Sequence, residues 1–284
     1  MTTAFVLSGG ANLGAAQVGM LAAVADAGVV PDLVVGTSVG ALNGAWVAAG
    51  APLEDLGAVW RSLRRGSVFP MNPLRGLLGL SGRTDHLVGN TGLRRILHQN
   101  LAFDRLEDFP IQLHVVVTDV LTGVGKLLSC GQALDSIIAS AAIPGVLPPV
   151  SLDGRAYMDG GVVNNSPISH AVELGADTVW VFATGYSCAL REPPRSALGM
   201  ALHATTLIVQ QRLLLDLVRY VGVIDLRVIP PLCPVGVSPT DFSQADELIT
   251  RSYALAADWL RVAPVDPATM LLQAVHPHDV MPRL

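Results

Sequence analysis

The chain has 284 residues, 51% of them apolar and only 14% charged, and a formal net charge of −5. The charged fraction lies well below the roughly 25% of ordinary soluble proteins, and the long apolar runs predict a sheet covered by helices on both faces. The acidic balance argues against a nucleic-acid-binding protein, which carries a basic excess.

The N-terminus, MTTAFVLSGG, has neither the basic nor the long apolar region of a signal peptide. No charge-free run of about 18 apolar residues is present, so no transmembrane helix is expected. No linker, charge block or repeat divides the chain, which predicts a single domain over residues 1–284. Cys130, Cys188 and Cys233 are scattered and odd in number, the pattern of buried thiols in a reducing compartment. Lys126 is the only lysine among many arginines, a bias that fits a high-GC genome. Together these features predict a cytoplasmic protein of bacterial origin.

Thr3 to Leu7 is the first predicted strand. It runs into Ser8-Gly9-Gly10-Ala11-Asn12-Leu13-Gly14 and then a helix, Ala15 to Ala25, closed by Gly28. Such a turn offers backbone N–H groups to an anion, as a phosphate cradle for a dinucleotide or as an oxyanion hole. The dinucleotide pattern needs G-x-G-x-x-G and an acid ending the next strand. Here Ala11 stands at the third position and the next strand ends Val34-Val35-Gly36. The oxyanion reading gains because a serine turn comes on that very next strand.

The stretch Pro31 to Ala49 holds a short apolar run, Leu33-Val34-Val35, the turn Gly36-Thr37-Ser38-Val39-Gly40, and a helix of small residues. Strand, G-x-S-x-G, helix is the context of a nucleophile elbow. The turn strains Ser38 and lifts its hydroxyl above the strand end. Gly36 and Gly40 remove the Cβ atoms that would collide where strand and helix nearly touch. The free N–H groups of the helix N-terminus favour negative charge there. If the first two strands are parallel neighbours, both turns lie at one edge of the sheet.

Pro52 to Leu63 is predicted helical. Arg61 to Arg83 then holds five arginines, no acid and interleaved apolar residues. It reads either as a solvated connection or as a cap or lid, around 61–90, that touches an anionic or lipidic surface as a peripheral membrane contact. Thr91 to His98 is a short helix, Ile111 to Thr118 and Lys126 to Cys130 are strands, and Gln132 to Ala142 is a helix of small residues. The segment Ile143 to Val150, IPGVLPPV, either lines an acyl pocket or fills the core. Gly154 to Met158 is a strand ending in Asp159-Gly160-Gly161, a pattern that is usually only a turn. Ile168 to Leu174 is a helix, Thr178 to Ala183 a buried strand, Ala197 to Val221 a long helix, Ile224 to Val228 a strand, and Phe242 to Leu260 a final amphipathic helix. The tail carries His276, His278 and Asp279, a weak metal pattern.

SGGANLG, GTSVG and DGG, together with AAIPGVLPPV and MDGGVVNNSPISHAVELGAD, resemble the patatin-like phospholipase family of serine acyl hydrolases over most of the chain. The resemblance implies a three-layer α/β/α fold with a mostly parallel sheet, and hydrolysis of lipid acyl esters by a Ser–Asp dyad through an acyl-enzyme. It places the nucleophile at Ser38, the base at Asp159 and the oxyanion donors on the backbone of Gly9, Gly10 and Ala11. The substrate it implies is a phospholipase A or lysophospholipase-like lipid ester. One departure stands out. The family's first loop often reads G-G-G-x-R/K-G, whereas here Ala11 replaces the third glycine and Leu13 stands at or beside the basic position.

A serine hydroxyl is a poor nucleophile until a base takes its proton. An aspartate near its reference pKa of about 3.9 is a weak base at neutral pH, so the oxyanion hole has to supply much of the catalysis. No metal or cofactor is required. Two other readings remain: an α/β-hydrolase-type esterase with a Ser-Asp-His triad ending in His276 or His278, and a non-catalytic lipid-binding regulatory protein that keeps the fold. A dyad is expected to lack the rate limb near pH 6.5 that a histidine base would produce.

Overall fold

The structure is a computed structural model and describes residues 1–70, 81–184, 193–232 and 240–262. Arg75, Cys188, Cys233, His276, His278 and Asp279, and with the two histidines the triad and metal readings, lie outside the described residues. Eight strands among those described form one sheet: β1 (Thr3–Leu7), β2 (Leu33–Thr37), β3 (Gln112–Asp119), β4 (Gly125–Leu128), β5 (Val150–Leu152), β6 (Arg155–Asp159), β7 (Thr178–Phe182) and β8 (Asp225–Ile229). Their order is β5-β6-β3-β2-β1-β7-β8, with β4 also on β3. The run from β3 to β8 is parallel, while β4, β5 and β6 join antiparallel.

The described helices are α1 (Gly14–Asp26), α2 (Val39–Ala48), α3 (Leu53–Ser62), α4 (Arg65–Val68), α5 (Thr91–Asn100), α6 (Ala133–Ser140), α7 (Gly161–Asn164), α8 (Ile168–Glu173), α9 (Ala197–Tyr220) and α10 (Ala245–Arg261). Alternate strand residues feed two cores, as the two-residue period of a strand requires. Phe5, Leu7, Val34, Leu113, Val115 and Phe182 pack with α1, α2, α3, α5, α6 and α10. Ala4, Val6, Val35, Val116 and Val181 pack with α8 and α9. The result is three layers, α/β/α, with a mostly parallel sheet, which explains the apolar strands and the low charge.

The sheet itself brings two strand ends together. β2 pairs with β3 from Gln112 to Val116, and Thr37 is its last paired residue. β6 pairs with β3 from Val117 onward, and Asp159 is the residue opposite Val117. β4 overlaps both partners along β3, at Val115 to Thr118. A strand has two edges, so β4 takes one and β2 and β6 share the other. They meet there end to end: the residue after Thr37 is Ser38, and the residue ending β6 is Asp159.

Three expectations change. Cys130 is exposed, because it lies past the end of β4 where the chain leaves the sheet. Phe242 precedes the last helix and stacks its ring near those of Trp60 and Phe69, 6.3 and 6.2 Å away. The apolar residues Leu63, Val68 and Phe69 of the arginine-rich segment turn inward as buried cavity walls, because the short helix α4 packs against α5. Two of that segment's arginines also have partners in the fold. Arg61 pairs with Asp246 at 2.7 Å, and Arg64 donates to the carbonyls of Arg61 and Leu63.

Candidate active site

Ser38 sits between β2 and α2 at φ 56°, ψ −124°, a backbone region that costs a non-glycine residue about 1–3 kcal/mol. Its N–H donates to Ser140 Oγ at 2.8 Å, and its carbonyl accepts from Ala41 N at 2.9 Å. The glycines on either side are dictated by backbone contact. A Cβ on Gly36 would lie 2.5 Å from the Gly40 carbonyl oxygen, and one on Gly40 would lie 2.1 Å from that of Leu7. Strand β1, strand β2 and helix α2 therefore touch through main chain alone, which holds the loop after β1 against Ser38.

Asp159 is buried, and its carboxylate accepts from Gly161 N at 2.7 Å. The Ser38 side chain lies beside it and favours its ionised form. Burial raises its pKa from 3.8 to about 6, against the opposing pull of the nearby Ser38 side chain and the Gly161 hydrogen bond. This corrects the expectation of an aspartate near its reference value. Desolvation disfavours the charged form, which makes Asp159 a stronger base than a solvated aspartate would be.

The glycine-rich loop is tied to the neighbouring strand ends. Gly9 and Asn165 exchange hydrogen bonds: Gly9 N donates to the Asn165 carbonyl at 3.1 Å and Asn165 Nδ2 donates to the Gly9 carbonyl at 3.2 Å. Thr184 Oγ1 donates to the same Gly9 carbonyl at 2.6 Å, and the Ser8 and Ser166 hydroxyls are 2.6 Å apart. The structure therefore differs from expectation at Gly9, whose N–H is engaged by Asn165 and is not offered to an oxyanion. Gly10 and Ala11 open a short 3-10 turn, Ala11–Leu13, whose first N–H groups have no acceptor within the turn. Ala11 adopts φ 51°, the left-handed conformation a glycine would take there, and borders the same cavity as Ser38.

That cavity has about 810 Å³ of empty space, its open mouth included, and is lined almost wholly by apolar side chains. Val39, Leu42, Trp60, Leu93 and Ile96 are among its walls. Ile143 and Leu147 of the proline-rich segment line it too, and Leu147 is also part of the core, so the segment both borders a cavity and fills the core.

Residues 5–172 match the family described as Patatin-like phospholipase. The chain belongs to that family. Among curated proteins, "Lysophospholipase nte1" of Aspergillus terreus is 29% identical over 63% of this chain and 12% of that protein. "Patatin-like phospholipase domain-containing protein 6" of Mus musculus is 30% identical over 65% of this chain and 14% of that protein. The patatin-like stretch thus spans less than a sixth of the relatives it matches. A solved structure of VipD from Legionella pneumophila is 15% identical with a TM-score of 0.47, covering 96% of this chain and 67% of that chain. At the position where patatin-like loops often carry a cation, Leu13 packs against the core.

Several residues that sequence reasoning missed hold this patatin-like site in place. Gln17 Nε2 donates to the Ser8 and Phe182 carbonyls at 2.8 and 2.9 Å. Asn43 Nδ2 donates to Gln17 Oε1, and Trp60 Nε1 donates to Asn43 Oδ1, each at 2.9 Å. Ser140 accepts from Ser38 N, donates to the Val116 carbonyl at 2.6 Å, and offers its own carbonyl to Gly160 N at 3.3 Å. It touches the backbone of Ser38 and that of Gly160, the residue after Asp159, which makes it a positioning residue. The one signal in the sequence was a polar side chain in the middle or at the end of an otherwise small, apolar helix. Ser140→Ala leaves two buried backbone groups without partners, at about 1–3 kcal/mol of stability. A tenfold to hundredfold loss of kcat with little change in KM is the expected kinetic result, since roughly 1.4 kcal/mol of misplacement is worth a factor of ten. Urea unfolding and steady-state kinetics on one soluble ester check both numbers.

Proposed function

We propose that this chain is a serine hydrolase that cleaves acyl esters of lipids, of phospholipase A or lysophospholipase-like type. The observation that supports it most is the strained, buried Ser38 beside a buried Asp159 at the mouth of an apolar cavity. In this reading Asp159 takes the Ser38 proton as Oγ attacks the ester carbonyl. The Gly10 and Ala11 N–H groups and the N-terminus of α2 meet the charge that develops on the carbonyl oxygen. Asp159 then protonates the leaving alcohol, and water enters to release the acyl chain from Ser38 with Asp159 again as base. The family membership and the name lysophospholipase carried by one relative support a lipid substrate. A panel of 4-nitrophenyl esters, lysophospholipids, diacylphospholipids and acyl thioesters tests this on the purified protein. Turnover of none of them rejects it.

Contact with a lipid surface belongs to the same reading. No helix among the described residues is long and apolar enough to cross a membrane. Arg64 and Arg65 are exposed, and with Arg75 they supply positive charge to an anionic surface. At about 1 kcal/mol per basic residue, replacing all three with Gln is expected to weaken binding to anionic vesicles roughly 100-fold. Hydrolysis of a soluble ester is expected to change little. Equal vesicle binding by parent and variant in a sedimentation assay rejects the contact.

A further inference from the structure

The acyl cavity does not end in solid core. A second cavity of about 320 Å³, open solvent included, adjoins it, and the two share four wall residues, Leu42, Trp46, Leu97 and Asn100. The second cavity is lined largely by alanines, Ala45, Ala49, Ala51 and Ala102, and opens toward the surface at the exposed Ala102. Trp46 is the largest of the shared residues. Its Nε1–H donates to the Pro52 carbonyl at 2.9 Å, which pins the indole where the chain leaves α2.

Helix α2 gives the scale. Leu42 and Trp46 are one and two turns past Ser38, so at 1.5 Å per residue Trp46 stands about 12 Å from the nucleophile. An acyl chain attached to Ser38 and running along α2 covers that distance with roughly ten carbons, given C–C bonds of about 1.5 Å in a zigzag. A longer chain meets the indole, with alanine-lined space behind it that the chain cannot reach.

We propose that Trp46 is the chain-length stop of this enzyme. It makes esters of a single medium-length acyl chain the preferred substrate class, and its removal joins the two chambers into one longer channel. The inference rests on the reading that Ser38 carries the acyl group. It goes further in naming the residue that sets the length of that group, and it predicts an optimum rather than a general taste for lipids. Each methylene that finds apolar room adds about 0.8 kcal/mol, close to fourfold in kcat/KM, and one that does not fit adds nothing or subtracts.

The test is the chain-length profile of kcat/KM on 4-nitrophenyl butyrate, octanoate, decanoate, dodecanoate and palmitate. The parent is expected to rise to about decanoate and then flatten or fall. Trp46→Ala is expected to keep rising toward palmitate, with its dodecanoate-to-octanoate ratio at least tenfold above the parent's. Adding Ala49→Leu to Trp46→Ala refills the far chamber and is expected to return the profile toward the parent's, which a general loosening of the fold would not do. If Trp46→Ala fails to fold, Leu42→Phe narrows the channel one turn earlier and is expected to move the optimum to shorter chains. Turnover with a profile that none of these variants shifts overturns the chain stop and leaves the proposed chemistry standing. No turnover of any ester by the parent overturns the reading of Ser38 and the chain stop with it.

Discussion

Treatment with a fluorophosphonate is expected to add one phosphonyl group per chain, on the peptide that contains Ser38, and Ser38→Ala is expected to abolish both labelling and ester turnover. The expectation rests on backbone rather than composition. Ser38 is held at φ 56° by two hydrogen bonds and by main-chain contact at Gly36 and Gly40. That strain would relax if nothing opposed it, and its effect is to hold the hydroxyl beside Asp159 and the cavity mouth. Among the described residues no other serine has this strained backbone. Ser8 and Ser166 bond each other, and Ser140 is committed to Val116 and Ser38. Removing the nucleophile and leaving the rest of the site intact typically lowers rates to the level that binding and the oxyanion hole sustain alone, a loss on the order of 10⁶-fold in a comparable hydrolase. Intact-mass and peptide mass spectrometry locate the adduct. Labelling on another serine, or turnover by Ser38→Ala near the parent's rate, rejects Ser38 as nucleophile.

The sequence already held the local parts of this arrangement. Strand–GTSVG–helix and strand–SGGANLG–helix are read from neighbouring residues, and their adjacency follows from parallel pairing of β1 and β2, with Leu7 opposite Gly36. The alternating apolar strands gave away a sheet covered on both faces. What spacing left hidden was long-range, and Asp159 was paired with Ser38 only through the family resemblance. That Asp159 ends beside Ser38 depends on β2 and β6 sharing one edge of β3, and no spacing in the chain encodes which edge a strand takes. Ser140, Asn165 and Gln17 were hidden for the same reason, since each acts on groups about a hundred or more residues away or across a layer. The Gly9 amide was misassigned because a glycine-rich loop offers several N–H groups, and only the fold decides which of them a neighbour takes. Leu63, Val68 and Phe69 read as surface because their neighbours are arginines, yet a short helix between charged residues can still turn one face inward.

Asp159→Asn is expected to lower kcat by 10²- to 10⁴-fold, the usual worth of a positioned general base, while making the protein more stable above pH 6. Both effects come from one fact, the burial that lifts the Asp159 carboxyl to about 6. Only the ionised form can accept the Ser38 proton, so activity in the parent is expected to fall as pH drops through about 6. A histidine base would titrate near 6.5, so the acid limb by itself does not separate a dyad from a triad, contrary to the expectation from an unshifted aspartate. The stability effect separates them better. In the unfolded chain the carboxyl titrates near 3.8, and in the folded chain near 6. Between these values the folded state binds more protons than the unfolded one, so stability falls as pH rises from about 4 to about 6 and then levels off. That difference corresponds to about 3 kcal/mol at most. Asparagine has no charge to desolvate, so urea unfolding at pH 8 is expected to find Asp159→Asn more stable by up to that amount, with the gap closing as pH falls toward 4. A histidine partner for Ser38 would give no such gain on replacing Asp159. His276→Ala and His278→Ala, measured on the same soluble ester, are expected to keep near-parental rates. A folded histidine variant that loses as much activity as Asp159→Asn would reverse the assignment of the base. An Asp159→Asn protein that is no more stable than the parent at pH 8 would show that the carboxylate is not held charged in an apolar setting, and would remove the physical basis for its strength as a base.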